Sequence, residues 1–153
     1  MENANEKVIH VLEKLIETCR DSQNGYRDAA EHTKSPQLRQ FFNQQSIERA
    51  QFAGQLENEV IHLGDHNPER KGTVSGAIHR AWFDLKEKFS GNEESILNSV
   101  ESGEDTAKHE FEQALQEGHL PVNIYTIVRQ QATHVVAAHD RVRELRDERK
   151  KAA

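Results

Sequence analysis

The chain has 153 residues, of which 35% are hydrophobic and 30% charged, with a formal net charge of −6. That length fits one domain, expected over 1–153, and is enough to bury a core. An acidic balance excludes a general nucleic-acid binder, and a single cysteine, Cys19, excludes an internal disulfide framework or a cysteine-rich metal site.

The first helix is predicted over about 5–32. Val8, Leu12, Leu15, Cys19, Tyr26 and Ala29 recur by threes and fours, the spacing of one buried helical stripe. Ser22 and Gly25 interrupt that stripe. Ser35 and Pro36 then form a start signal, because serine caps a helix and proline at its first position gives up no needed hydrogen bond. The second helix is predicted over 36–63, carrying Leu38, Phe41, Phe42, Phe52, Leu56, Val60 and Leu63, with Gly64 as its left-handed stop.

Asp65 to Thr73 has the Gly, Asn, Pro and charged content of a loop. A short helix is predicted over 74–89, with Val74, Ile78, Trp82, Leu85 and Phe89 on one face. Asn92 caps a helix predicted over 93–117, whose stripe is Ile96, Val100, Ala107, Phe111 and Leu115, and Gly118 ends it. Pro121 opens the last helix, predicted over 121–148, with Ile124, Val128, Gln131, Val135, Val142 and Leu145 inward. No alternating β-branched run occurs, so the expected class is all-α. Short links make two antiparallel hairpins, and the long connection between them, carrying the short helix, suits a ferritin-like four-helix bundle. The N-terminus has no basic stretch followed by an apolar run, and no segment nears the ~18 apolar residues of a membrane span. A cytoplasmic location is expected.

The two hairpins carry a faint duplication. Tyr26 and Phe111 are each followed, ten residues on, by the proline that opens the next helix, Pro36 and Pro121.

Several runs resemble a known family. They are Leu15-Ile16-Glu17-Thr18-Cys19-Arg20-Asp21, Gly25-Tyr26-Arg27-Asp28-Ala29-Ala30-Glu31, Arg49-Ala50-Gln51-Phe52-Ala53, His79-Arg80-Ala81-Trp82, Gly103-Glu104-Asp105 and Ala137-Ala138-His139-Asp140-Arg141-Val142. The chain resembles, along nearly its whole length, a bacterial four-helix-bundle family of unknown function in the ferritin-like superfamily. The resemblance implies that fold. The wider superfamily includes di-iron oxidases, peroxidases and iron-storage shells, but a fold does not fix an activity.

Di-metal bundles take one Glu from each of two helices and a Glu-x-x-His from each of the other two. Carboxylates with imidazoles suit iron or manganese. The near matches here are Glu17 and Glu104 on the first and third long helices, Glu48-Arg-Ala-Gln51 on the second and Gln131-Ala-Thr-His134 on the fourth. Counted from turns near residues 34 and 119, Glu17 and Gln51 lie seventeen residues away, Glu48 fourteen, and Glu104 and His134 fifteen. At about 1.5 Å per residue they share one height to within roughly 5 Å. Against a metal site, glutamine is a poor ligand, Glu17 lies beside the apolar stripe, and the duplication pairs Glu104 with Cys19. Arg49 competes for the same acids: a buried arginine demands a carboxylate, and Glu17 or Glu104 would serve.

The remaining features have plainer readings. His139 is expected to be a core histidine bonded to a neighbouring helix, and Cys19 a small core filler. His62 and His66 have a spacing that clasps zinc on a helix, but Gly64 breaks the helix between them. Trp82 and Phe83 are expected to seal the core rather than to form an exposed dimer patch. The run Asp140 to Lys151, with six bases and four acids, reads as a salt-bridged helix end. No phosphate loop, catalytic triad or basic-aromatic stripe is present. The leading function is therefore non-enzymatic: a cytosolic helical bundle acting as a homo-oligomer or with a protein partner. The alternative is a metal-binding bundle with oxidase, peroxidase or storage activity, its ligands drawn from Glu17, Glu48, Gln51, Glu104 and His134.

Overall fold

A computed structural model describes residues 3–64, Trp82 and 92–152. These residues form four long helices and no strand: α1 (Ala4–His32), α2 (Pro36–His62), α3 (Glu93–Glu117) and α4 (Val122–Ala152). The expected loop over 65–73 and short helix over 74–89, Trp82 apart, lie outside the described residues, as do His66 and Phe83.

Helix starts follow the capping chemistry. The side chains of Asn3, Ser35 and Asn92 accept from the backbone N–H groups of Glu6, Leu38 and Ser95. Each satisfies a donor that the first turn leaves orphaned. Gly64 takes φ 105°, as a left-handed stop requires. At the end of α3 the left-handed residue is His119, at φ 48°, and not Gly118. Gly118 is needed for a different reason, since a Cβ there would lie 2.4 Å from the Ala114 carbonyl oxygen. The last helix runs to Ala152, beyond the predicted 148, because its charged end is laced by pairs such as Arg141–Glu144 and by an Arg146–Glu101 bond to α3.

Side-chain contacts set the helix directions. Arg20 meets Glu57 and Gln23 meets Ser46, so α1 and α2 are antiparallel. Thr33 meets Glu93 and Lys14 meets Glu110, so α1 and α3 are antiparallel. His139 meets Asp105 and Arg146 meets Glu101 between α3 and α4. Gln131 meets Gln55 between α4 and α2. The helices thus form a square in the order α1, α2, α4, α3, with every neighbour antiparallel. α2 and α3 sit on one diagonal and run in the same direction, so His62 and Glu93 lie at opposite ends.

Two apolar clusters fill the square. One gathers Leu12, Leu15, Leu56, Val60, Phe111 and Val128, and the other Tyr26, Phe42, Trp82, Leu97 and Val142. Tyr26 and Phe111, the equivalent aromatics of the two hairpins, are both buried, one in each cluster.

Candidate functional site

Between the apolar clusters lies a buried polar centre. α2 supplies Arg49, α3 supplies Glu104 and α1 supplies Tyr26, and none of the three has solvent exposure. Arg49 donates from Nη1 to Glu104 Oε1 at 2.6 Å and from Nη2 to Oε2 at 2.5 Å. This is the two-pronged geometry in which guanidinium and carboxylate planes match. The Tyr26 hydroxyl donates to Glu104 Oε2 at 2.8 Å. The Arg49 guanidinium also lies 5.4 Å from the centre of the Tyr26 ring, a cation–π distance.

The charges shape the titration of this centre. Burial works against a charged Arg49, but the Glu104 carboxylate overrides it and holds the guanidinium above its usual range. Burial, then the Glu104 charge, push the Tyr26 phenol well above its ordinary 10.0. Burial pushes the Cys19 thiol from 9.0 up to about 12, with Arg49 pulling the other way. Cys19 is therefore a neutral thiol near neutral pH and a poor nucleophile, in accord with its expected role as core filler.

Trp82 closes the centre on the α1/α3 side. Its ring lies 5.4 Å from that of Tyr26. A Cβ on Gly25 would come within 1.9 Å of the indole, and one on Gly103 within 2.4 Å. The interruption of the α1 stripe at Gly25 is thus a slot, completed by Gly103 of α3 and filled by an aromatic ring. Trp82 seals the core as expected.

The five predicted ligand candidates do not converge. Glu104 is at the centre with both oxygens engaged by Arg49. Glu17 is half-buried on α1, and Gln51 is exposed on α2. Glu48 and His134 do approach each other, with Oε1 and Nδ1 at 3.7 Å, but at the partly exposed α2/α4 edge. Gln131 is buried and serves as a bridge, donating from Nε2 to the Phe52 carbonyl and to Gln55 Oε1. Among the described residues no three His, Cys, Asp or Glu side chains are gathered so as to hold a metal ion. The donor set therefore does not fit a carboxylate-bridged iron or manganese pair.

His139 is the second buried polar tie. Its Nε2 faces Asp105 Oδ1 at 2.5 Å and its Nδ1 faces Asp140 Oδ1 at 3.0 Å. The hydrogen bond from His139 holds the Asp140 carboxyl below its usual range. The expected bond to a neighbouring helix is present; Asp105 as the partner has no signal in the sequence, because it is a mostly exposed acid on α3. The role of Tyr26 was equally hidden, since a tyrosine on an apolar stripe reads as core filler.

A family model described as "Domain of unknown function (DUF2383)" matches residues 7–117, from α1 through α3. The chain belongs to that family. A comparison with curated proteins finds no match. No helix among the described residues is long and apolar enough to cross a membrane.

Proposed function

We propose that this chain is a non-enzymatic, cytosolic helical bundle of the ferritin-like kind that acts by association, with itself or with a protein partner. The parallel run of α2 and α3 supports the ferritin-like arrangement, which joins its two hairpins by one long crossover. The observation that carries the functional reading is the capture of Glu104. The innermost of the candidate acids has both oxygens bound by a buried arginine, and that pair is a structural tie rather than an open ligand. Exposed Ile47 and Ile61 on α2, with Val122 and Tyr125 on α4, direct attention to the surface.

The metal reading keeps one observation, the approach of His134 to Glu48. Two side chains at a partly exposed edge make a weak, adventitious site for a transition metal.

Light scattering of the full chain across concentrations, together with recovery of partners from lysate, tests association. A mass that rises with concentration, or a partner held in stoichiometric amount, is the expected result. A strict monomer that recovers nothing would overturn the reading.

A further inference from the structure

The α2/α4 seam holds a polar side chain that packing alone does not explain. Gln131 lies on the inner stripe of α4, between Val128 and Val135, and is 1% exposed. Its Nε2 donates to the Phe52 carbonyl at 3.3 Å and to Gln55 Oε1 at 2.9 Å. A backbone carbonyl can only accept, which fixes the end of the Gln131 amide that is nitrogen. The other end, Oε1, is buried and has no hydrogen-bond partner among the described residues. An unmet buried acceptor is costly, and an aliphatic side chain at this stripe position would avoid the cost.

That amide belongs to a groove of about 370 Å³ between the two helices, lined also by Phe52, Gln55, Thr133 and His134. The volume falls in the range of small-molecule sites. The Phe52 and His134 rings stand 5.9 Å apart and tilted by 57°, so an aromatic wall lies beside the amide. Gln55 is exposed on α2 and meets the Gln131 nitrogen alone, leaving the oxygen unmet. Two acids border the groove: Glu48 beside His134, and half-exposed Glu59 one turn along α2 from Gln55.

We infer that this groove binds an aromatic primary carboxamide, a flat ring carrying a CONH2 group. The ligand carbonyl replaces Gln55 Oε1 as the acceptor for Gln131 Nε2, and the ligand N–H donates to Gln131 Oε1. The ligand therefore makes two bonds to Gln131 where Gln55 makes one. Its ring lies against Phe52 and His134, a wall that a bare asparagine or glutamine side chain from a partner protein would leave unused. The charges refine the choice. Glu48 and Glu59 repel anions, so an aromatic carboxylate, similar in shape but charged and without a donor, is refused. This site stands apart from the association reading, because ligand binding and oligomeric mass are separate measurements.

Titration of the isotope-labelled full chain with benzamide, followed by NMR, tests this. The side-chain amide signals of Gln55 and Gln131 are assigned by their loss in Gln55→Ala and Gln131→Met, and far-UV circular dichroism verifies both folds. Benzamide should shift the Gln131 amide and the His134 backbone signals saturably, with a Kd on the order of 1 mM, the affinity open to so small a fragment. Acetophenone, in which a methyl group replaces the NH2, should bind at least about threefold more weakly, and benzoate should not bind measurably. Gln131→Met should weaken benzamide about tenfold, read at His134. Gln55→Ala should tighten it about threefold, since no side chain then has to be displaced. Absence of a saturable shift, equal affinity for acetophenone, or an unchanged Kd in Gln131→Met would each overturn the site. Should Gln131→Met fail to fold, Gln55→Ala decides alone: its side chain is exposed, and weaker binding there overturns the site.

Discussion

Arg49 of α2 and Glu104 of α3 join two helices that share no close backbone contact among the described residues, bridging the diagonal of the bundle through two hydrogen bonds. A buried ion pair is a poor source of net stability, because removing both ions from water offsets most of their attraction. Losing one partner is another matter. Glu104→Gln or Arg49→Met should destabilise by about 3–5 kcal/mol, since each strands a buried charge or hydrogen-bonding group. The Arg49→Met/Glu104→Leu double variant should lose much less than the sum, and adding Tyr26→Phe should recover more, because it removes the hydroxyl left without an acceptor. Urea unfolding of the set measures the coupling. Additive losses would show that the pair is not a unit.

The glycine slot makes a prediction of sign. In an open helix, Gly→Ala stabilises by roughly 0.5–1 kcal/mol. Gly54, where an added Cβ meets nothing within 4 Å, should follow that rule. Gly25→Ala and Gly103→Ala should do the reverse, losing about 1–3 kcal/mol as the indole is displaced. The chain has one tryptophan, so its fluorescence reports on the slot alone. Emission should be blue-shifted in the wild type and move to the red in both slot variants. Unchanged emission with increased stability would place Trp82 elsewhere.

Alkali should unfold the bundle through its centre. The Cys19 thiol titrates at about 12 when folded, against an ordinary 9.0. The folded state therefore holds this proton over a pH range in which the unfolded chain has released it. The stabilisation is complete below pH 9 and falls by up to about 1.4 kcal/mol per pH unit as pH rises toward 12. Tyr26, also raised, adds a second loss above its ordinary 10.0. Thermal unfolding of Cys19→Ala should be flatter than that of the wild type between pH 9 and 10. Identical pH profiles would contradict the burial of the thiol. A thiol reagent should likewise fail to modify Cys19 until the protein unfolds.

Much of this was legible in the sequence because it lies in periodicity and local chemistry. Ser35, Asn92 and Pro36 mark helix starts through hydrogen bonds made within one turn, and they do so in the structure. Counting residues along the helices put Arg49 at mid-bundle height with Glu17 or Glu104 as its carboxylate partner, and the structure selects Glu104. Height is not direction, however. Glu48, Gln51 and His134 share that height yet stand at the α2/α4 edge or outside it, because a shift of one residue turns a side chain by about 100° around the helix. The Gly25–Gly103 slot was read only as a break in a stripe. A glycine leaves no mark of what it makes room for, and its filling comes from a distant segment.

Metal titration distinguishes a closed centre from a ligand site most directly. The full chain, purified without chelator and then offered Fe(II) or Mn(II) anaerobically, should bind neither stoichiometrically, and Glu104→Gln should not change that outcome. Near-stoichiometric iron or manganese that is lost in Glu104→Gln would mean that Glu104 leaves Arg49 to bind metal, and the account of the centre as a structural tie would fail.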